Sequence, residues 1–158
     1  MKQNTCCFTG HRLLPVKKIQ QIVTKLNEEV DLLIQKGVTI FISGGTLGFD
    51  QIAASLVVAK KQQGAKTRLR FALPYRNQDE KWTEKQKCLY HSLLGEADDI
   101  IYVSEEYTDG CMKERTSYMI DNSAYCICAY KEKAIISKTG KTIRHAQEKG
   151  LQIINVIR

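Results

Sequence analysis

Asp50 closes the stretch ISGGTLGFD at residues 42–50, and no other carboxylate in the chain follows so many glycines so closely. Glycines permit positive backbone φ angles and let amide groups approach a ligand with no Cβ in the way. At a helix start, such amides and the helix dipole favour a phosphate. Ser43, Gly44, Gly45 and Gly48 are therefore candidate ligand contacts, with Asp50 in the first turn of the helix that follows. Two readings of Asp50 stand side by side. It interacts favourably with the dipole and caps amides, or it accepts a ribose hydroxyl or holds a leaving base in catalysis. The spacing departs from the G-x-G-x-x-G dinucleotide fingerprint.

Four further segments carry groups of the same kind. In TGHR, Thr9 and Gly10 can wrap an anion and His11 and Arg12 can pair with one; the plainer reading is a turn into a helix begun by Pro15. In LPYRNQDEKW, Pro74 closes a strand, Gln78 is a further candidate contact, and Tyr75 and Trp82 offer flat faces for a base. A core or interface anchor is an equal alternative for Trp82. In KERTSYMIDNS, Arg115, Met119 and Asn122 fall on nearly one helical face. Arg115 then either reaches back to a pocket mouth or makes a surface salt bridge. SKTGKT ends like a Walker A loop, but the first glycine of that motif would be residue 135, which is Ile135, so a P-loop NTPase is not expected. Ser137, Thr139, Gly140, Lys141 and Thr142, placed before a helix carrying Arg144 and His145, still suit a helix-terminus phosphate site.

These segments need a frame that gathers them. Near-continuous apolar runs recur at TCCFTG, VTIFISGG, RLRFALP, DDIIYVS, AYCICAY and LQIINVI, as expected of strands covered on both faces. Helical periodicity fills the intervals at 16–35, 49–63, 80–94, 112–122 and 141–149, and the first is the clearest amphipathic stripe. Alternation of this kind predicts a mainly parallel sheet of about six strands between helical layers, a three-layer α/β/α Rossmann-like arrangement. Ligands in such sheets gather at the carboxyl edge, where strand order reverses. Every segment named above follows or faces that edge.

Composition bounds the reading. At 158 residues the chain is expected to form a single domain over 1–158, with one well-buried core. No apolar run is long enough for a signal sequence or a bilayer span, so the expected compartment is the cytoplasm, with no membrane partner. Cys6, Cys7, Cys126 and Cys128 sit in strand-like runs and read as reduced core thiols. Zinc is not expected, because adjacent strand residues point to opposite faces and no C-x-x-C spacing is present. The net charge of +7 directs attention to an anionic ligand or a polyanion. Bases concentrate in 131–158 and acids in 95–109, which is not a continuous nucleic-acid track.

FTGHR, SGGTLGFDQIAA, LPYRNQ with Trp82, MKERTSYMIDNSAYCICAY and TGKTIRHAQEKGLQIINV together resemble the SLOG superfamily of Rossmann-like proteins. Within it they are similar to the small bacterial group typified by YpsA and the prophage protein YoqJ. The superfamily includes the LOG phosphoribohydrolases and the DNA-processing protein DprA. The resemblance implies a Rossmann-like domain, a nucleotide-derived ligand (nucleoside phosphate, ADP-ribose or NAD-like) at the carboxyl edge, and self-association as a homo-oligomer. LOG-like cleavage of an N-glycosidic bond and DprA-like binding of single-stranded DNA are the competing functions. The chain departs from the family where Lys138, Thr139, Gly140 and Lys141 replace the usual late GGT. It also lacks the P-G-G-x-G-T-x-x-E segment that holds the catalytic acid of LOG enzymes.

Overall fold

A computed structural model describes residues 2–131 and 137–157. Six strands, β1 Thr5–Gly10, β2 Ile40–Ser43, β3 Arg68–Leu73, β4 Asp99–Tyr102, β5 Tyr125–Ala129 and β6 Gln152–Asn155, alternate with five helices. The helices are α1 Ile19–Gln35, α2 Phe49–Gln62, α3 Glu84–Gly95, α4 Cys111–Asp121 and α5 Lys138–Glu148. All strand pairs are parallel, in the order β4-β3-β2-β1-β5-β6. The chain thus lays down strands outward from β1 in one direction, then returns to the other side of β1 for β5. That reversal opens the β1/β5 edge, because the crossovers on its two sides leave in opposite directions.

Period-two alternation sorts the side chains of each strand between two layers. Cys6 and Phe8 of β1, and Ile127 and Ala129 of β5, pack with α1, α2 and α3. Cys7, Cys126 and Cys128 face α4 and α5 instead. The amphipathic stripe of α1 buries Ile22, Leu26, Val30 and Leu33 against the first layer. Each such burial stabilises the fold by roughly 1.5–3 kcal/mol before chain entropy is counted. The edge strands differ from the expectation of cover on both faces: β4 and β6 are only partly buried, and Ile100 is 40% exposed. They have a neighbour on one side only.

Two helices begin elsewhere than their periodicity predicts. The third starts at Glu84 rather than 80, because Thr83 and Gln86 form a reciprocal capping box. The fifth starts at Lys138 rather than 141, because Ser137 Oγ accepts the Gly140 amide at 3.1 Å. Thr139 and Gly140 therefore lie inside the first turn of α5, not in a loop before it. The apolar part of the Walker-like segment at 132–136 lies outside the described residues. No helix among the described residues is long and apolar enough to cross a membrane.

Candidate functional site

The glycine corner is built around its own chain. Gly48 has φ +88°, and a Cβ there would lie 2.2 Å from the carbonyl oxygen of Arg12, so backbone meets backbone where the β1 and β2 loops cross. The Phe49 amide donates to His11 O at 3.2 Å and the Gly45 amide to Ser43 Oγ at 3.2 Å. Ser43 Oγ in turn donates to Asp50 O at 2.9 Å. Two of the amides that the sequence offers to a phosphate thus serve the loop itself. Gly10 is likewise pressed against Phe49, where an added Cβ would come within 2.6 Å of the ring.

Asp50, in the first turn of α2, is 6% exposed. Thr46 Oγ1 donates to its Oδ2 at 2.6 Å, while Oδ1 has no hydrogen-bond partner. Arg115, 8% exposed, comes from α4 on the opposite layer and donates through Nη1 to Gly44 O at 2.9 Å; its Nε is unpartnered. It is not a surface ion-pair residue. The two side chains meet over Gly44, where an added Cβ would lie 2.6 Å from Arg115 Nη1 and 2.9 Å from Asp50 Oδ2. Burial raises the Asp50 carboxyl pKa, against the opposing pull of the Arg115 charge, the Thr46 hydroxyl and amide, and Arg12. Burial also lowers that of Arg115, against the attraction of Asp50.

Beside this pair lies a cleft with Cys7, Phe8 and Thr9 of β1 and Cys126 of β5 as its floor. Thr116, Met119 and Ile120 of α4 and Thr142 of α5 complete its walls with Asp50 and Arg115. Only ≈ 30 Å³ is open within it, room for about one water molecule. The floor is chemically quiet. Burial and the neighbouring Cys7 push the Cys128 thiol up to about 12, and a hydrogen bond with Cys7 followed by burial raises Cys126 well above its ordinary value. These thiols are protonated at neutral pH. All six cysteines are free, and no group of three metal-ligating side chains occurs among the described residues.

The structure brings Thr9, Asp50, Arg115 and Thr142 to one cleft, with Ser43, Gly44 and Gly45 forming the wall behind Asp50. It places the LPYRNQ loop differently. Pro74 is buried, Gln78 Nε2 donates to Tyr90 Oη at 2.9 Å, and Trp82 packs edge-on against Tyr90 with centroids 5.0 Å apart. Trp82 is a core anchor in this arrangement. Tyr75 pairs edge-on with Tyr107, 5.6 Å away, on the rim between the β3 and β4 loops. Arg12, Lys138 and Lys141 are exposed near the β1/β5 edge, and Thr139 is buried. Gly140 lies against Tyr130.

Three contributors escape the sequence reading. Thr46 lies inside the glycine stretch, four residues before Asp50, and that spacing is the signal for a side-chain cap. Thr116 follows Arg115 directly. Tyr130 sits just past the end of β5, held by reciprocal bonds with Asn155 at 3.2 and 2.7 Å, with its ring 5.9 Å from that of His11. It reads from sequence only as the end of an apolar run.

Comparison with known proteins agrees with this geometry. The chain is 32% identical over 142 residues to the SPbeta prophage-derived protein YoqJ of Bacillus subtilis, covering 82% of this chain and 76% of that one. It is 26% identical to a UPF0398 protein of Halalkalibacterium halodurans, spanning 72% of this chain and 61% of the relative's length. Among solved structures, DNA processing protein A from Helicobacter pylori superposes with a TM-score of 0.62 at 21% identity, over 96% of this chain and 64% of that one. That protein binds single-stranded DNA. TM1055 superposes with a TM-score of 0.50 at 15% identity, over 98% of this chain and 92% of that one. These two likenesses show a shared fold. The model of the YspA SLOG family matches residues 7–156, and the chain belongs to that family.

Proposed function

We propose that this chain binds a nucleotide-derived ligand, of the nucleoside phosphate, ADP-ribose or NAD-like class, across the carboxyl edge of its sheet, and senses or processes it. The observation that carries this reading is the buried Asp50 and Arg115 pair, supplied by helices of opposite layers and left with one unpartnered oxygen and one unpartnered nitrogen beside the cleft at the strand-order reversal. Buried polar groups without partners are rare and costly, so a site that keeps two of them is a site that expects a ligand. Arg12, Lys138 and Lys141 are exposed around it and supply the charge an anionic ligand needs.

Binding carries more weight than cleavage. Hydrolysis of an N-glycosidic bond would use Asp50 to stabilise positive charge developing on the sugar or to orient a water. Among the described residues, no second carboxylate lines the cleft beside it. Single-stranded DNA is the other reading, supported by the fold shared with DNA processing protein A and by the exposed Lys138, Lys141 and Arg144 on α5. Heat-shift and native mass spectrometry with AMP, ADP-ribose and NAD test the first reading, which fails if none of the three binds. Filter binding of an oligodeoxynucleotide across a salt series tests the last, which fails if nothing is retained at low ionic strength.

A further inference from the structure

We infer that the cleft accepts a ribose hydroxyl and not a phosphate, so that the protein selects ribonucleotides over their deoxy counterparts. This rests on the nucleotide reading above and assigns the inner end of the same site. The groups left without partners are one acceptor, Asp50 Oδ1, and one donor, Arg115 Nε, each on a residue more than nine-tenths buried. A hydroxyl is the small group that answers both, since it donates one hydrogen bond and accepts another. A phosphate cannot do so, because its oxygens only accept and its charge would oppose that of Asp50.

Size and lining point the same way. An opening of ≈ 30 Å³ admits a group about as large as a water molecule, which excludes a phosphate or the edge of a base. Thr9, Thr116 and Thr142 line it together with apolar Phe8, Met119 and Ile120, a surface suited to a neutral hydroxylated carbon. The glycine amides that would cradle an anion are in part already spent on His11 O and Ser43 Oγ. The cations stand outside the cleft: Arg12, Lys138 and Lys141 are exposed. The ligand therefore lies sugar inward and phosphate outward.

Isothermal titration with AMP, 2′-deoxy-AMP and 3′-deoxy-AMP on the whole chain tests this. A hydrogen bond to a charged group is worth about 10- to 100-fold in affinity, so at least one deoxy analogue is expected to bind weaker than AMP by that factor. Equal affinity for all three overturns the hydroxyl assignment and leaves the nucleotide reading standing. Absence of binding by AMP, ADP-ribose and NAD alike overturns the nucleotide reading itself. Asp50→Asn adds a readout that a merely structural residue would not move: it is expected to erase the ratio between AMP and the deoxy analogue. A ratio unchanged in the folded variant removes Asp50 from the assignment. The wild-type comparison stands whether or not the variant folds.

Discussion

At Asp50, function and stability pull in opposite directions. Burial raises its carboxyl pKa above the ordinary 3.8, more than the Arg115 charge and the Thr46 bonds lower it. A raised acid contributes stability that is fully present below the unfolded pKa and is lost as pH rises through the folded value. Asparagine mimics the protonated form. Asp50→Asn is therefore expected to gain stability relative to wild type as pH rises from about 4 to 7, while its ligand affinity falls, with thermal melts at both pH values as the check. A relative stability that falls over that range would contradict the buried-charge account. The glycines before Asp50 make it conspicuous in the sequence, but its partner is not legible there. Arg115 belongs to a helix of the other layer, and only the closing of the sheet's carboxyl edge brings the two over Gly44.

Between elements, the contact that fixes the site is the crossing of the β1 and β2 loops. Gly48→Ala must place a methyl group 2.2 Å from a backbone oxygen while holding φ near +88°, and neither atom can step aside as a flexible side chain would. A loss of at least about 3 kcal/mol in denaturant unfolding is expected, with weakened ligand binding in whatever fraction remains folded. A loss under about 1 kcal/mol would mean that the loops separate easily. Elements of this kind are legible in part. The apolar run TCCFTG coincides with β1 from end to end, because six consecutive residues are covered by neighbours on both sides. The start of α5 is not, since the GKT pattern draws the eye past Ser137, whose hydroxyl begins the helix. Trp82 is ambiguous for a related reason: sequence supplies the ring but not Tyr90, which it packs against.

Across the whole molecule, charge is unevenly compensated. The acidic stretch near β4 is answered locally, by Lys61 on Asp98 at 2.7 Å, Arg68 on Asp99 at 3.4 Å, and Arg76 on Glu105. Asp98 also accepts the Leu69 amide at 2.7 Å and so ties the end of α2 to the start of β3. Its burial works to raise the carboxyl, but the Lys61 bond and the Leu69 amide outweigh it and the pKa is lowered. The stability it brings is present above the unfolded pKa and lost as pH falls through the folded one, the reverse of Asp50. Asp98→Asn is expected to cost about 1 kcal/mol at pH 7 and progressively less in acid, read from urea unfolding at several pH values. A cost independent of pH would point to packing. Alternating runs make the class of this fold legible, but the order of strands is decided by which crossovers share a face, and no local signal reports that β5 returns to lie beside β1.

The thiols also divide the molecule in time. Cys88 lies exposed on α3, whereas Cys7, Cys126 and Cys128 lie in the sheet under α4 and α5, Cys7 opposite Cys126 in the strand register. An alkylating reagent therefore meets one group at once and the others only when the layer above them lifts. Followed by mass, the delay between the first label and the next is a clock for the breathing of the α4/α5 layer. A ligand seated beside Asp50 and Arg115 would hold that layer closed and slow the clock.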